Sequence, residues 1–156
     1  SKSYTEGYWI DGTISAFNTT QGVWGIINGV PILGSNNPWI DGTLINDFTT
    51  GSIANPFGFI YTGAAAKLFK VSVNVTWAMT AGNGDNVELA IGKNGSVKPS
   101  TRIQSYLDDN STYPRNAGTS GIFELATDAY IEVFIRNTTS SIALLVKACN
   151  IQITEL

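Results

Sequence analysis

The 156-residue chain has the length of one ordinary domain, and its apolar share of 43% suits a buried core. Only 13% of the residues are charged, about half the usual share, and the net charge of −3 argues against a nucleic-acid partner, which would require a basic patch. No histidine is present, which excludes Ser-His and Cys-His nucleophile pairs and every His-ligated metal.

The remaining chemistry-bearing residues do not form a catalytic pattern. Cys149 is the single cysteine, so no internal disulfide forms, and its apolar surroundings indicate a buried, inert thiol. The adjacent pair Asp108-Asp109 has no recognisable opposing carboxylate, as a glycosidase would need. Residues 82–86 lack the carboxylate spacing of a calcium loop. We therefore expect no enzyme activity, no metal and no cofactor.

The sequence predicts no membrane-spanning segment. No run of about 18 apolar residues occurs, and no signal-peptide pattern opens the chain. A start at Ser1 fits loss of an initiator Met after cytoplasmic synthesis, and a cleaved signal peptide would leave the same start.

Residues 1–60 contain one short internal repeat: the Trp-Ile-Asp-Gly-Thr of residues 9–13 recurs at residues 39–43. The two copies fit either a duplicated binding loop or two similar hairpins, and hairpins are favoured because a repeat fold usually needs three units. As candidate docking or ligand loops they contribute the residues Trp9, Asp11, Trp39 and Asp41. Residues 1–20 are expected to belong to the domain or to form an N-terminal arm or docking segment. Short strands are predicted over 21–27 and 43–48.

Residues 67–80 carry the clearest structural signal in the chain. Phe69, Val71 and every second residue up to Met79 are apolar, while Lys70 and Ser72 begin a mostly polar alternate row. Because strand side chains alternate between faces, this pattern predicts one long interior strand with one face on the core.

Further strands are predicted over 57–61, 87–91, 101–107, 121–126, 129–136 and 141–154, with a polar loop over 108–118. This spacing, with no convincing helical pattern, predicts an all-β, antiparallel two-sheet sandwich or jelly roll. In the last strand Leu144 and Val146 hold even positions, whereas Ile151 and Ile153 hold odd ones. A strand changes faces only with an extra residue, so a bulge is expected near residues 148–150.

One polar face mixes rings with charges, as subunit interfaces do. Tyr130, Glu132, Phe134 and Arg136 stand opposite the aliphatic residues of the same strand. The alternative is an ordinary outer face with some exposed rings. The candidate interface residues are Tyr106, Tyr130, Phe134 and Leu145. Five Asn-x-Ser/Thr sequons, at Asn18, Asn74, Asn94, Asn110 and Asn137, are mostly interpreted as turn residues.

Three segments together resemble a known family. They are Phe-Ile-Tyr-Thr-Gly-Ala-Ala-Ala-Lys-Leu-Phe-Lys-Val-Ser-Val-Asn-Val at 59–75, Val-Glu-Leu-Ala-Ile-Gly-Lys-Asn-Gly at 87–95, and Thr-Ser-Gly-Ile-Phe-Glu-Leu-Ala-Thr-Asp-Ala-Tyr-Ile-Glu-Val-Phe-Ile-Arg-Asn-Thr at 119–138. This succession resembles the C1q/TNF-like jelly roll in the form found in phage and other viral structural proteins. It covers residues 57–156 well and 21–56 loosely. The metazoan branch usually has cysteines and aromatic signatures that this chain lacks, which argues against secreted signalling.

The resemblance implies a homotrimer around a three-fold axis, in which the second-last strands often supply aromatic and apolar contacts. It also implies that the protein is made in the host cytoplasm and is located on a virion. The resemblance carries over no catalytic residue. The favoured hypothesis is one jelly-roll domain over residues 1–156 that decorates or cements a capsid or forms a head fibre. Its partners would be further copies of itself and a major capsid protein or fibre and tail components. The alternative is the tip domain of a viral fibre, which binds a host receptor or surface glycan.

Overall fold

The computed structural model describes residues 2–10, 16–17, 20–27, 32–33, 46–50, 58–81, 84–108 and 114–156. These ranges hold thirteen strands and one short 3₁₀ turn, Pro99–Thr101. The strands are β1 (Tyr4–Ile10), β2 (Ala16–Phe17), β3 (Gly25–Ile26), β4 (Ile32–Leu33), β5 (Phe48–Thr50), β6 (Phe59–Tyr61), β7 (Lys67–Met79), β8 (Asp85–Lys93), β9 (Ser96–Val97), β10 (Ile103–Leu107), β11 (Arg115–Leu125), β12 (Tyr130–Asn137) and β13 (Leu144–Glu155).

The strands form the two sheets of a jelly-roll sandwich. The first sheet has the order β11-β7-β13-β1-β4, with β2 beside β13. The second has the order β10-β8-β12-β6-β5, with β3 beside β12 and β9 beside β8. Every pairing between these strands is antiparallel. The all-β, two-sheet prediction is confirmed.

The strand predicted over residues 67–80 is β7, and it lies inside the first sheet. It pairs with β11 on one edge and with β13 on the other. Its six alternate apolar residues, from Phe69 to Met79, are each at most 2% exposed. The predicted inward face is therefore confirmed.

The core lies between the two sheets and is dense in aromatic rings. Phe48, Tyr61 and Phe69 form a triangle with ring centroids 5.0–5.4 Å apart. Trp77 and Phe59 are fully buried beside the aliphatic rows of β8, β12 and β13. Each such side chain contributes about 1.5–3 kcal/mol on burial.

The predicted bulge in β13 exists, one residue earlier than expected. Its register against β7 shifts between Val146 and Ala148, so Lys147 is the extra residue. Leu144 and Val146 face the core before it, and Cys149 and Ile151 face the core after it. Ala148 is small enough for either face, which is why the alternation alone misplaced the shift.

Two predicted segments differ from the structure. The predicted loop over residues 108–118 ends early, because β11 begins at Arg115 and pairs Arg115 with Trp77. At the N-terminus, β1 pairs with β13 along its whole length and with β4, so residues 4–10 are part of the sheet and not a free arm. The pairing of β1 with β13 could not be predicted because the paired residues lie 138 to 150 positions apart in the chain.

The turn after β12 is organised by a buried amide. Asn137 is fully buried, and its Oδ1 accepts hydrogen bonds from the backbone N–H groups of Thr139 and Ser140 at 2.9 and 3.0 Å. Its Nδ2 donates to the buried carboxylate of Asp85 at 2.7 Å. This sequon is therefore structural, as predicted, and closes the β12–β13 connection. Asn18 and Asn110 lie outside the described residues.

Candidate functional site

The outward face of the first sheet, which we call the A face, is regular and mostly uncharged. Its cross-strand rows, read from β1 to β11, are Tyr4–Thr154–Lys70–Ile122, Glu6–Gln152–Ser72–Ser120 and Tyr8–Asn150–Asn74–Gly118, followed by Ala148–Thr76–Asn116. The centre of the A face consists of the nine residues Ser72, Asn74, Thr76, Asn116, Gly118, Ser120, Ala148, Asn150 and Gln152. None of these nine is ionisable, so the centre bears only neutral donors and acceptors.

Hydrogen bonds between strands fix the amides at this centre. Asn74 Nδ2 donates to Asn150 Oδ1 at 3.2 Å, and Thr76 Oγ1 donates to Asn116 Oδ1 at 3.0 Å. A Cβ on Gly118 would lie 2.4 Å from Asn74 Oδ1, so glycine leaves the space that the Asn74 side chain occupies. These residues line a shallow polar depression of about 240 Å³.

An exposed apolar cluster lies at one end of the same face. Leu68, Ile122 and Leu156 are 50%, 52% and 56% exposed. The Leu156 N–H donates to the Leu68 carbonyl at 3.0 Å. Ile122 pairs with Lys70, two residues from Leu68 on the same side of β7. We call these three residues the A-face cluster. Strand alternation did not predict this cluster, although Leu68 and Ile122 are apolar residues in otherwise polar rows.

Ionic groups lie around the uncharged centre of the A face. Lys67 Nζ lies 3.1 Å from Glu155 Oε2, which also accepts the Ser3 N–H at 2.7 Å. The Ser3 and Lys67 hydrogen bonds lower the pKa of Glu155, and the bond to Glu155 raises the pKa of Lys67. Tyr4 donates its hydroxyl to Glu6 at 2.7 Å, and burial with this bond raises the pKa of Tyr4 to about 12.

The outward face of the second sheet, the B face, is built differently. Glu88 is buried there between Arg102 and Arg136, whose guanidinium groups lie 2.8 Å from its two oxygens. The ring of Trp24 lies 4.3 Å from the Arg136 guanidinium and packs edge-on against Phe134. This network attaches the β3 segment to the sheet.

The four predicted interface residues do not form one patch. Tyr106 and Tyr130 are exposed on the B face but lie at opposite ends of β8, next to Asn86 and Asn94. Phe134 is only 5% exposed, because Trp24 covers it.

Leu145 belongs to the other sheet, on β13. Phe134 is covered and Leu145 lies on the opposite sheet, so the four residues do not lie together on one face of a single chain. Their role as subunit contacts stays a prediction.

The predicted docking loops fall mostly outside the described residues. Asp11, Trp39 and Asp41 lie there, and Trp9 is described only as a backbone position in β1 opposite Cys149. Their role stays a prediction.

Glu132, predicted on the outward face of its strand, is only 3% exposed within the single chain. Burial raises its pKa, and the backbone N–H of nearby Gly95 partly offsets this rise. Its Oε1 has no hydrogen-bond partner among the described residues.

The described ranges contain no metal-binding cluster, and their one cysteine is buried. No group of three His, Cys, Asp or Glu side chains in them is close enough to hold a metal ion. Cys149 is buried, which strongly raises the pKa of its thiol and leaves it protonated. In the same ranges, no helix is long and apolar enough to cross a membrane.

Comparison with known proteins identifies the fold. No protein-family model matches the chain, and no curated protein matches it in sequence. Among solved structures, the Eiger TNF from S. frugiperda is similar with a TM-score of 0.53 and 12% identity, over 99% of this chain and 92% of that one.

Two further structures are similar over nearly the whole chain. The PRD1 vertex protein P5 has a TM-score of 0.55 and 9% identity, over 98% and 96% of the two chains. Murine APRIL has a TM-score of 0.51 and 10% identity, over 99% and 100%. The chain therefore has a TNF-like jelly-roll fold, shared by proteins of different kinds.

Proposed function

We propose that this chain is a structural protein of a viral particle, most plainly a capsid decoration or head-fibre protein, which assembles as a homotrimer through its A face. The observation that carries the proposal is the A face itself, with an exposed apolar cluster beside an uncharged polar centre. Identical copies associate either through one self-complementary surface or through two complementary surfaces that close a ring by rotation. Where like charges from two copies meet in such a contact, they repel each other.

The centre of the A face suits contact with further copies. Its amides and hydroxyls are both donors and acceptors, so identical surfaces can pair without a matching set of opposite charges. The strand-to-strand hydrogen bonds of Asn74 and Thr76 hold these side chains in place. Less side-chain entropy is then lost when a second copy binds.

The A-face cluster supplies the apolar part of the contact. Among the described residues six large apolar side chains are exposed, and three of the six are the neighbours Leu68, Ile122 and Leu156. A contiguous apolar patch with a polar border is typical of a protein–protein contact. The other three, Val23, Tyr106 and Tyr130, are not part of this cluster.

The assembly is tested by charging one cluster residue. Ile122→Lys places an ammonium group at the contact and is expected to convert the trimer into monomers in sedimentation velocity. Val23→Lys is the matched control, because Val23 is 54% exposed away from the A face. The proposed contact fails if Ile122→Lys sediments as wild type does while its melting temperature shows that it is folded.

The virion role is supported by the resemblance of the strand motifs to viral structural proteins and by the fold shared with the PRD1 vertex protein P5. It is tested by counting copies of the chain in purified particles by quantitative mass spectrometry. Many copies per particle are expected for decoration. A few copies, with a glycan-array signal that Trp39→Ala abolishes, would instead favour a receptor-binding fibre tip. Absence of the chain from particles would refute both roles.

A further inference from the structure

A depression of about 250 Å³ lies where the β8–β9 hairpin meets the outer edge of β11. β11 is the last strand of the first sheet, so no further strand among the described residues pairs with the backbone groups on its outer edge. The depression is lined by Lys93, Ser96, Lys98, Ile122, Phe123 and Glu124. The proposed subunit contact uses the side chain of Ile122 on the A face and gives this edge no role.

Two ammonium groups are held at this edge by backbone carbonyls. Lys93 Nζ donates to the Glu124 carbonyl at 3.0 Å, and Lys98 Nζ donates to the Ile122 carbonyl. Lys98 Nζ also lies 4.8 Å from the Phe123 ring centroid. The two carbonyls belong to residues two apart in one strand, which places them about 7 Å from each other. The two ammonium groups are therefore neighbours.

Neither of these ammonium groups is paired with a carboxylate. Within the part of the chain that the structure describes, ion pairs are formed by the cations Lys67, Arg102, Arg115 and Arg136. Lys93 and Lys98 donate to neutral carbonyls instead. Two positive charges therefore meet in one depression without a counter-ion, in a chain whose net charge is −3.

Hydrogen-bond donors are left over at the same place. An ammonium group has three N–H donors, and the carbonyl bonds of Lys93 and Lys98 use one donor each. In an antiparallel strand the N–H and C=O of one residue point to the same side, so the N–H groups of Ile122 and Glu124 also face this edge. Ser96 adds an exposed hydroxyl. Positive charge combined with several donors is what an oxyanion requires.

We propose that this depression binds a doubly charged tetrahedral oxyanion, a phosphate or sulfate group, which Lys93 and Lys98 hold together. A phosphate group carries nearly two negative charges at pH 7 and so neutralises both ammonium groups, whereas a carboxylate neutralises only one. Lysine binds phosphate as a point charge on a flexible stem, so the two side chains can close on the ligand without a preformed fork.

The site is tested by titrating the ¹⁵N-labelled protein at pH 7.5 with inorganic phosphate, sulfate or acetate, with sodium chloride keeping the ionic strength constant. Saturable shifts of the backbone amide signals are expected at Ser96, Ile122 and Glu124 for phosphate and sulfate, and the tighter of the two ions identifies the ligand. Acetate is expected to bind at least about ten-fold more weakly, because its single charge satisfies one ammonium group.

The double variant Lys93→Gln with Lys98→Gln removes both ammonium groups and is expected to weaken binding at least about ten-fold. The matched control is Lys2→Gln with Lys147→Gln, which changes the net charge equally at two lysines that do not line the depression. It should bind within about two-fold of wild type, since distant exposed charges are screened. Unchanged amide signals elsewhere in the chain show that each variant is folded.

The proposal is overturned if no amide shift saturates with phosphate or sulfate, or if acetate binds as tightly as both. It is equally overturned if the folded Lys93→Gln, Lys98→Gln variant binds as wild type does. An equal loss of binding in the control would also overturn it, because the ions would then respond to net charge and not to this site.

Discussion

At the scale of single residues, Glu132 shows where the alternation of a strand stops predicting exposure. It faces outward from β12, as expected, yet it is almost wholly buried. Phe134, the next outward residue, is covered by Trp24, more than 100 positions earlier in the chain. A period-two pattern assigns a residue to a face, but the covering of that face depends on distant segments. Burial of these outward residues was therefore not predictable.

Glu132 also contributes to the pH dependence of stability. Because its pKa is raised in the folded state, the folded protein binds more protons, and stability falls as the pH rises from the unfolded-state pKa through the folded-state pKa. Glu132→Gln is therefore expected to stabilise the protein at neutral pH by about 1 kcal/mol, or roughly 2–4 °C in melting temperature. The gain should shrink in acid. Thermal melts across pH check this, and the exposed Glu124→Gln is the control, which should show no gain.

At the scale of elements, β13 consists of two halves, whose core-facing residues have even numbers before the bulge and odd numbers after it. The sequence predicted this change of face correctly, because Leu144 and Val146 are even and Ile151 and Ile153 are odd. The exact position, Lys147, was not predictable, since neither Lys147 nor Ala148 has a strong preference for the core.

Deleting Lys147 is expected to unfold the protein or to cost several kcal/mol. Without the extra residue, Leu144 and Val146 exchange the core for solvent, and burial of each contributes about 1.5–3 kcal/mol. Lys147→Gly keeps the residue count and should melt close to wild type. Equal melting temperatures for the deletion and wild type would show that the strand corrects its faces in another way.

The free edge of β11 is covered by two lysines from the β8–β9 hairpin. Lys93 Nζ donates to the Glu124 carbonyl at 3.0 Å, and Lys98 Nζ donates to the Ile122 carbonyl and lies 4.8 Å from the Phe123 ring centroid. Charged side chains over edge carbonyls oppose pairing with a strand of another molecule.

The double substitution Lys93→Met with Lys98→Met is expected to leave the edge open and to raise the aggregation rate on mild heating. Light scattering during a temperature ramp measures this, with Lys2→Met, at an exposed position near the terminus, as the control. Identical scattering for the double variant and the control would contradict a protective role for the two lysines.

At the scale of the whole molecule, the fold was predictable from the sequence and the proposed contact face was not. Strand spacing and alternation predicted a two-sheet jelly roll, because nearly every strand after residue 57 carries its own apolar row. The predicted interface joined Tyr106, Tyr130, Phe134 and Leu145 by residue type alone. The A-face cluster joins Leu68, Ile122 and Leu156, which become neighbours only when β7, β11 and β13 pair.

The central claim, a homotrimer formed through the A face, is tested most directly by the mass of the wild-type protein in solution. Sedimentation equilibrium at micromolar concentration measures that mass without reference to shape. The expected result is a single species of three times the 16.7 kDa of one chain. A single species of 16.7 kDa across the concentration range would contradict the claim.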